Sequence, residues 1–210
     1  MVNFMEKINN VWCIEGIGFD CNSYLIDNII VDTGTGQNQK YLHSKLESIN
    51  YNPKDIEMIV NTHSHFDHVG GNYLFPDAKI AIHQDDAIDV EDENNPLTAA
   101  IFGKSIKRHD VDVKLKEGDK IGDFEVIHTP GHTAGGICLW NGDILISGDT
   151  VFSDGGFGRL DIGGNHDDME KSLKRLKEFD VTYLLPGHGP WTDHGEEDIE
   201  LANKMFSINF

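Results

Sequence analysis

Basic residues are scarce in this 210-residue chain, which has 17 Lys and Arg against 36 Asp and Glu. The formal charge of -19 offers nothing like the positive footprint that duplex nucleic acid or an anionic membrane surface requires. Long hydrophobic runs are also missing, because no stretch approaches about 18 consecutive apolar residues. We therefore expect neither nucleic acid nor a membrane as a partner, and a small molecule as the substrate.

Cysteine is equally sparse, with only Cys13, Cys21 and Cys138 in the chain. An odd and scattered set of this kind predicts no disulfide framework. The first ten residues contain no apolar core of a secretory signal, so the expected location is a reducing cytoplasm. Length and composition predict a single globular domain over residues 1–210. The sequence leaves the oligomeric state open, homo-oligomers included.

Strand and helix patterns alternate along the chain in two similar halves, which predicts two packed sheets with helices outside them. The predicted strands are 11–17, 22–26, 28–31, 56–60, 79–82, 111–115, 120–121, 124–128, 136–140, 144–147 and 181–185, and the predicted helices are 41–49, 167–179 and 196–206. Between them, 84–105 loses this rhythm and opens with a crowd of Asp and Glu residues. We interpret that segment as a partly helical surface insertion or lid.

The richest motif is T-H-S-H-F-D-H-V-G-G at 62–71, directly after an apolar strand pattern. His63 and His65 are two residues apart in extended chain, so their side chains can point the same way. Asp67 and His68 follow where the chain must turn into a helix. Imidazole and carboxylate groups at this density are typical ligands of Zn, Fe, Mn or Ni.

Three further loops each place one metal-competent side chain beside glycine after a predicted strand. They are T-P-G-H with His132, S-G-D-T with Asp149 and P-G-H-G with His188. The candidate metal ligands are then His63, His65, Asp67, His68, His132, Asp149 and His188. One tetrahedral ion needs only three or four protein ligands, so seven candidates suit two ions.

This order of motifs resembles the metallo-β-lactamase superfamily over roughly 11–190. The resemblance implies an α/β fold, the αβ/βα four-layer sandwich of two mixed β-sheets flanked by helices. It assigns His63, His65 and His132 to a first metal, Asp67, His68 and His188 to a second, and Asp149 to a bridge between them. The V-D-T-G stretch at 31–34 is similar to an early family motif, which would make Asp32 an orienting residue for the ligand loop.

Further motifs point to branches of the superfamily. The G-F-G-R-L-D stretch at 156–161 is similar to one in glyoxalase II-like hydrolases and persulfide dioxygenases, and we expect Arg159 to pair with Asp161. An Asp-His pair at 67–68, in place of Asp-Arg or Asp-Cys, looks unlike the long-known antibiotic-degrading lactamases. Glyoxalase II carries a helical extension that binds glutathione, whereas 22 residues follow His188 here, so a glutathione thioester is not favoured.

The resemblance implies a dinuclear hydrolase that uses a metal-bound hydroxide to cleave a thioester or another activated ester. Two divalent ions would serve as cofactors, with zinc as the first choice and iron or manganese as alternatives. Asp67 would be the catalytic residue that orients the nucleophile. Lactones are the second substrate class and phosphodiesters the third.

Two rival hypotheses remain at this point. Persulfide dioxygenases share the motif set but use one iron, which by resemblance His63, His132 and Asp149 would hold. A non-catalytic metal-binding module would need a broken ligand set, and every ligand position in this chain is filled.

Overall fold

The structure, a computed structural model, describes residues 5–92 and 110–209. It contains two mixed β-sheets, one of seven strands and one of five, together with α-helices. Packing divides the chain into two compact units, which are described in turn. Within the described residues, no helix combines the length and apolar character needed to cross a membrane.

The first unit is built around the N-terminal strands of the seven-stranded sheet. In spatial order, the strands of this sheet are β1 (Glu6–Ile8), β2 (Val11–Ile14), β3 (Ser23–Ile26), β4 (Ile29–Val31), β5 (Met58–Asn61), β6 (Lys79–His83) and β7 (Val113–Leu115). Strands β1 to β4 pair antiparallel, and β4 pairs parallel with β5. Helix α1 (Gln39–Ser48) connects β4 to β5 and buries Leu42 and Leu46 in a cluster with Ile30 and Ile59.

The second unit contains the five-stranded sheet. Its strands are β8 (Lys120–Ile121), β9 (Phe124–His128), β10 (Ile137–Trp140), β11 (Ile144–Gly148) and β12 (Tyr183–Pro186). Their spatial order is β12-β11-β10-β9-β8, and within the described part of this sheet only the pairing of β11 with β12 is parallel. That pairing needs a long crossover, because the end of β11 and the start of β12 lie at opposite edges of the sheet.

Two helices cover the core of the second unit. Helix α4 (His166–Leu176) supplies the crossover between β11 and β12, and α5 (Gly195–Asn209) follows β12. The apolar positions of α4 recur at spacings of three and four, so Met169, Leu173 and Leu176 lie on one buried face. They join Phe206 of α5 in a single apolar cluster.

The loops that carry the candidate ligands all follow strand ends. Strand β5 ends at Asn61, two residues before His63, and the short helix α2 (Phe66–Val69) carries Asp67 and His68 with His65 as its N-cap. His132, Asp149 and His188 follow β9, β11 and β12. The strands therefore fix where each loop starts, and the loops present the polar side chains.

The α/β class with two mixed sheets is confirmed. Strand β1 was not predicted, because Glu6 and Lys7 are exposed and give it little hydrophobic pattern. The predicted surface insertion at 84–105 begins with helix α3 (Gln84–Glu91), which buries Asp86, Ala87 and Val90 on one side and leaves Asp85 and Ile88 exposed on the other. Residues 93–105 of that segment lie outside the described residues.

Candidate metal centre

His68 is held by a carboxylate that the sequence analysis had singled out. Its Nδ1 lies 2.8 Å from Oδ2 of Asp32, and both side chains are buried. A carboxylate can only accept here, so Nδ1 of His68 is the donor and the lone pair of the ring is on Nε2. Asp32 thereby fixes the tautomer that a metal-binding imidazole needs.

The backbone of α2 is fixed by neighbours from β4 and β5. The carbonyl of His68 accepts hydrogen bonds from the amide of Thr33 at 2.9 Å, its hydroxyl at 3.1 Å and the side chain of Asn61 at 3.2 Å. The amide of Cys21 donates to the carbonyl of Asp67 at 3.2 Å. A helix of four residues has little stability alone, so these bonds position Asp67 and His68.

His132 is held in the same way, by a backbone group instead of a side chain. Its Nδ1 donates to the carbonyl oxygen of Arg159 at 2.7 Å, which again leaves the lone pair on Nε2. Gly158 makes this approach possible, because a Cβ there would lie 2.6 Å from Nδ1 of His132 and 2.1 Å from the carbonyl oxygen of Asp149. Any larger residue at 158 would displace the histidine.

Asp149 lies close to two of the candidate histidines. Its Oδ2 is 3.4 Å from Nε2 of His132 and 3.6 Å from Nε2 of His188. The rings of His63 and His132 meet edge to face, with centroids 4.7 Å apart. Because Asp149 is nearly buried, its negative carboxylate is suited to attract positive charge on more than one neighbouring group.

The ligand atoms fall into groups whose members lie within 4.8 Å of one another. These groups are His63, His65 and His132; Asp67, His68 and His188; and His63, His68 and Asp149. The first two are the sets that the resemblance assigned to two separate ions. The donor chemistry, imidazole nitrogen with carboxylate oxygen, fits divalent transition metals. Each of the seven candidates belongs to at least one of these groups, while their roles as ligands stay predictions.

Two other groups with the same residue types suit an ion less well. In the group of Cys21, Asp32 and His68, Nδ1 of the histidine is already bound to Asp32, and burial raises the pKa of the Cys21 thiol to about 12. In the group of His83, Asp85 and His128, the two imidazole rings are stacked, with centroids 3.9 Å apart and an interplanar angle of 12°. An imidazole lone pair lies in the ring plane, so one ion cannot lie in both of these planes.

Two contributors to this centre were not predicted from the sequence: the glycine at 158 and the carbonyl of Arg159. The G-x-G-R stretch drew attention through its arginine, whose side chain forms the expected pair with Asp161 at 2.6 Å. The main-chain carbonyl of the same arginine supports His132. Any residue type can supply a carbonyl, so the only sequence feature that indicates this role is the adjacent glycine.

Comparison with known proteins places this geometry in a family. The sequence pattern of the metallo-beta-lactamase superfamily matches residues 16–188. This chain belongs to that superfamily. The match runs from the loop after β2 to His188, the last of the candidate ligands, and so includes every residue of the groups above.

Several curated relatives in the superfamily are similar over most of this chain. A protein of Methanocaldococcus jannaschii named "Probable metallo-hydrolase" is 33% identical over 190 residues, which is 84% of this chain and 91% of that protein. The hydroxyacylglutathione hydrolase of Hamiltonella defensa is 30% identical over 191 residues, covering 86% of this chain and 62% of that protein.

Solved structures of superfamily members agree with the fold. TTHA1623 in a di-iron-bound form is 29% identical, with a TM-score of 0.73 and coverage of 88% of this chain and 96% of that one. The B3 metallo-beta-lactamase BLEG-1 is 27% identical, with a TM-score of 0.74 and coverage of 89% and 95%.

Proposed function

We propose that this protein is a dinuclear metal-dependent hydrolase that cleaves a thioester or another activated ester. The observation that carries the proposal is the pair of groups, His63, His65 and His132 beside Asp67, His68 and His188. Each group offers three donors, the usual number that a catalytic zinc takes from its protein. Asp149 is near members of both groups and is the candidate bridge.

Bound at these residues, two divalent ions would supply an activated water and would polarise the substrate carbonyl. The protein's own contribution is orientation and proton placement. Asp32 and the Arg159 carbonyl hold the Nδ1 protons of His68 and His132, so both rings present Nε2. The Asp67 carboxylate, 3.8 Å from Nε2 of His68 and a fifth exposed, would accept a hydrogen bond from the attacking water and orient it.

Similar proteins support both the metal and the reaction class. The di-iron-bound TTHA1623 structure favours a two-metal centre, and the relative named for hydrolysis of hydroxyacylglutathione favours an acylated thiol as the substrate class. Zinc remains our first choice of metal, with iron and manganese as alternatives. We propose a small-molecule substrate and a cytoplasmic location.

The test combines metal content with hydrolysis. Protein purified without added metal or chelator is measured for ions per chain and assayed with an aryl thioester, its oxygen-ester counterpart, a lactone and a β-lactam. We expect two ions per chain and release of thiol from the thioester. In His188→Ala we expect about one ion per chain and a large loss of activity, because one of the second group's three donors is gone.

The matched control is His194→Ala, which removes an exposed histidine six residues away. It should keep two ions and full activity. A single iron per chain that added metal cannot raise to two would contradict the dinuclear hydrolase, and oxygen uptake with a persulfide would then identify the dioxygenase alternative. Turnover of the β-lactam without the thioester would replace the proposed substrate class.

A further inference from the structure

Helix α3 contains a buried carboxylate that the proposed reaction does not use. The side chain of Asp86 is completely buried, although it lies in a run of acidic residues, and its neighbour Asp85 is about half exposed. An unpaired buried charge is costly, so such a carboxylate is found where strong donors surround it. The identity of those donors indicates what Asp86 does.

The two backbone amides that donate to Asp86 belong to loops that carry candidate ligands. Its Oδ2 accepts from the amide of Ser64 at 2.9 Å, and its Oδ1 accepts from the amide of Gly135 at 2.6 Å. Ser64 lies between His63 and His65, and Gly135 is three residues after His132. One carboxylate therefore joins the backbone around all three members of the first group.

The Asp86 carboxylate is tightly packed between the glycine loop and its own helix. A Cβ on Gly135 would lie 2.6 Å from the amide nitrogen of Asp86 and 2.7 Å from its Oδ1, so the glycine loop is in close contact with α3. Ala87 and Val90 are buried and anchor the helix. Burial raises the pKa of the Asp86 carboxyl, and the hydrogen bonds from Thr133, Gly135 and Ser64 act in the opposite direction.

We propose that Asp86 is a positioning residue for the first metal, because it fixes the loops of His63, His65 and His132 relative to each other. This inference rests on the proposed dinuclear function. Asp86 belongs to none of the groups of possible ligands in the described part of the chain, and both of its oxygens accept backbone hydrogen bonds. Its effect is confined to the first group, because the second group depends on Asp32 and on the bonds around α2 instead.

The test is a metal titration of the metal-free protein with Zn²⁺ in competition with a chromophoric chelator. In Asp86→Asn one oxygen becomes an NH₂ group that faces an amide donor, so one of the two loops loses its acceptor. We expect one zinc equivalent to bind about 10- to 100-fold more weakly and the other to be unchanged. The spectrum of the Co²⁺-substituted protein should change for the same equivalent.

Asp85→Asn is the matched control, because it removes the same charge from the adjacent, exposed position and leaves both loops intact. It should bind two zinc ions as the wild type does. Gly135→Ala is a second variant, which displaces the carboxylate from the opposite side and should weaken the same equivalent. It keeps the test decisive if Asp86→Asn does not fold.

The outcomes separate this inference from the proposed function. Wild-type protein that binds two ions, with both affinities unchanged in Asp86→Asn and Gly135→Ala, overturns the positioning role alone. Equal weakening of both ions, accompanied by a lower melting temperature, also overturns it, since a general structural role would produce that result. Wild-type protein that binds fewer than two ions contradicts the dinuclear function itself and this inference with it.

Discussion

At the scale of single residues, the histidines of this chain do different work depending on what faces each ring nitrogen. Asp32 and a backbone carbonyl set the proton position in His68 and His132. His83 is buried and stacks on His128, and Oδ2 of Asp85 lies 3.7 Å from its Nδ1. Burial lowers the pKa of His83, and the neighbouring His128 lowers it further.

This lowered pKa predicts a specific acid sensitivity. The folded protein resists protonation of His83 more than the unfolded chain does, so the stabilisation is complete above about pH 6.5, the ordinary pKa of histidine, and is lost as the pH falls below it. The variant His83→Gln should therefore lose less melting temperature than the wild type between pH 7.5 and 5.5, measured by circular dichroism. His194→Gln, at an exposed position, should follow the wild type. Parallel pH dependence of all three proteins would contradict the prediction.

Residue type alone was enough to find the seven candidate ligands, because histidine and aspartate beside glycine are uncommon in such spacing. It could not find Asp86. That carboxylate lies in a run of similar acids, and its two partners are 22 and 49 residues away in sequence. Nothing local distinguishes it from Asp85, because only the tertiary structure determines which of the two is buried.

At the scale of elements, the long helices and buried strands were predicted well and their ends less well. The strand predicted over 11–17 ends at Ile14, because the amide of Gly16 donates to the side chain of Asn22 at 3.0 Å and the chain turns. A Cβ on Gly16 would lie 2.2 Å from the carbonyl of Asp20, which is incompatible with a continued strand bearing side chains. These contacts come from residues beyond the strand, where a periodic pattern carries no information.

Helix α4 provides a prediction at this scale. Its N-cap is Asn165, whose side chain accepts from the amide of Asp168 at 3.1 Å. Asn165→Ala should lower the free energy of unfolding by about 1 kcal/mol, because an orphan amide of the first turn loses its acceptor. Urea denaturation measures the change. Asn165→Asp, which keeps an acceptor, should remain close to the wild type, and equal losses in both variants would exclude a capping effect.

At the scale of the whole molecule, the most prominent property is the formal charge of -19, which is a property of the entire chain. Acidic residues outnumber basic ones about twofold, so the compact state carries net repulsion. The sequence was sufficient for this conclusion, as it was for the α/β class and the superfamily. The individual contacts could be identified only from the structure, because composition does not indicate which acidic residues form pairs.

Net repulsion predicts that salt stabilises this protein. Raising NaCl from 20 to 200 mM shortens the screening length, so the melting temperature should rise by about 2–4 °C for each kcal/mol of repulsion relieved. Differential scanning calorimetry measures the shift. A sucrose series at the same osmolality is the control for exclusion of solute from the surface. A melting temperature that falls with NaCl would mean that the favourable ion pairs outweigh the repulsion.

The hydrogen bond from His132 to the carbonyl of Arg159 has a consequence for how this protein can evolve. A main-chain oxygen is present whatever amino acid the codon specifies. The support of His68 can be lost through a single substitution at Asp32, whereas the support of His132 can be lost only if the backbone itself moves. Side-chain identity at 159 is therefore free to diverge between descendants, while the small neighbour at 158 that allows the approach is the position under constraint.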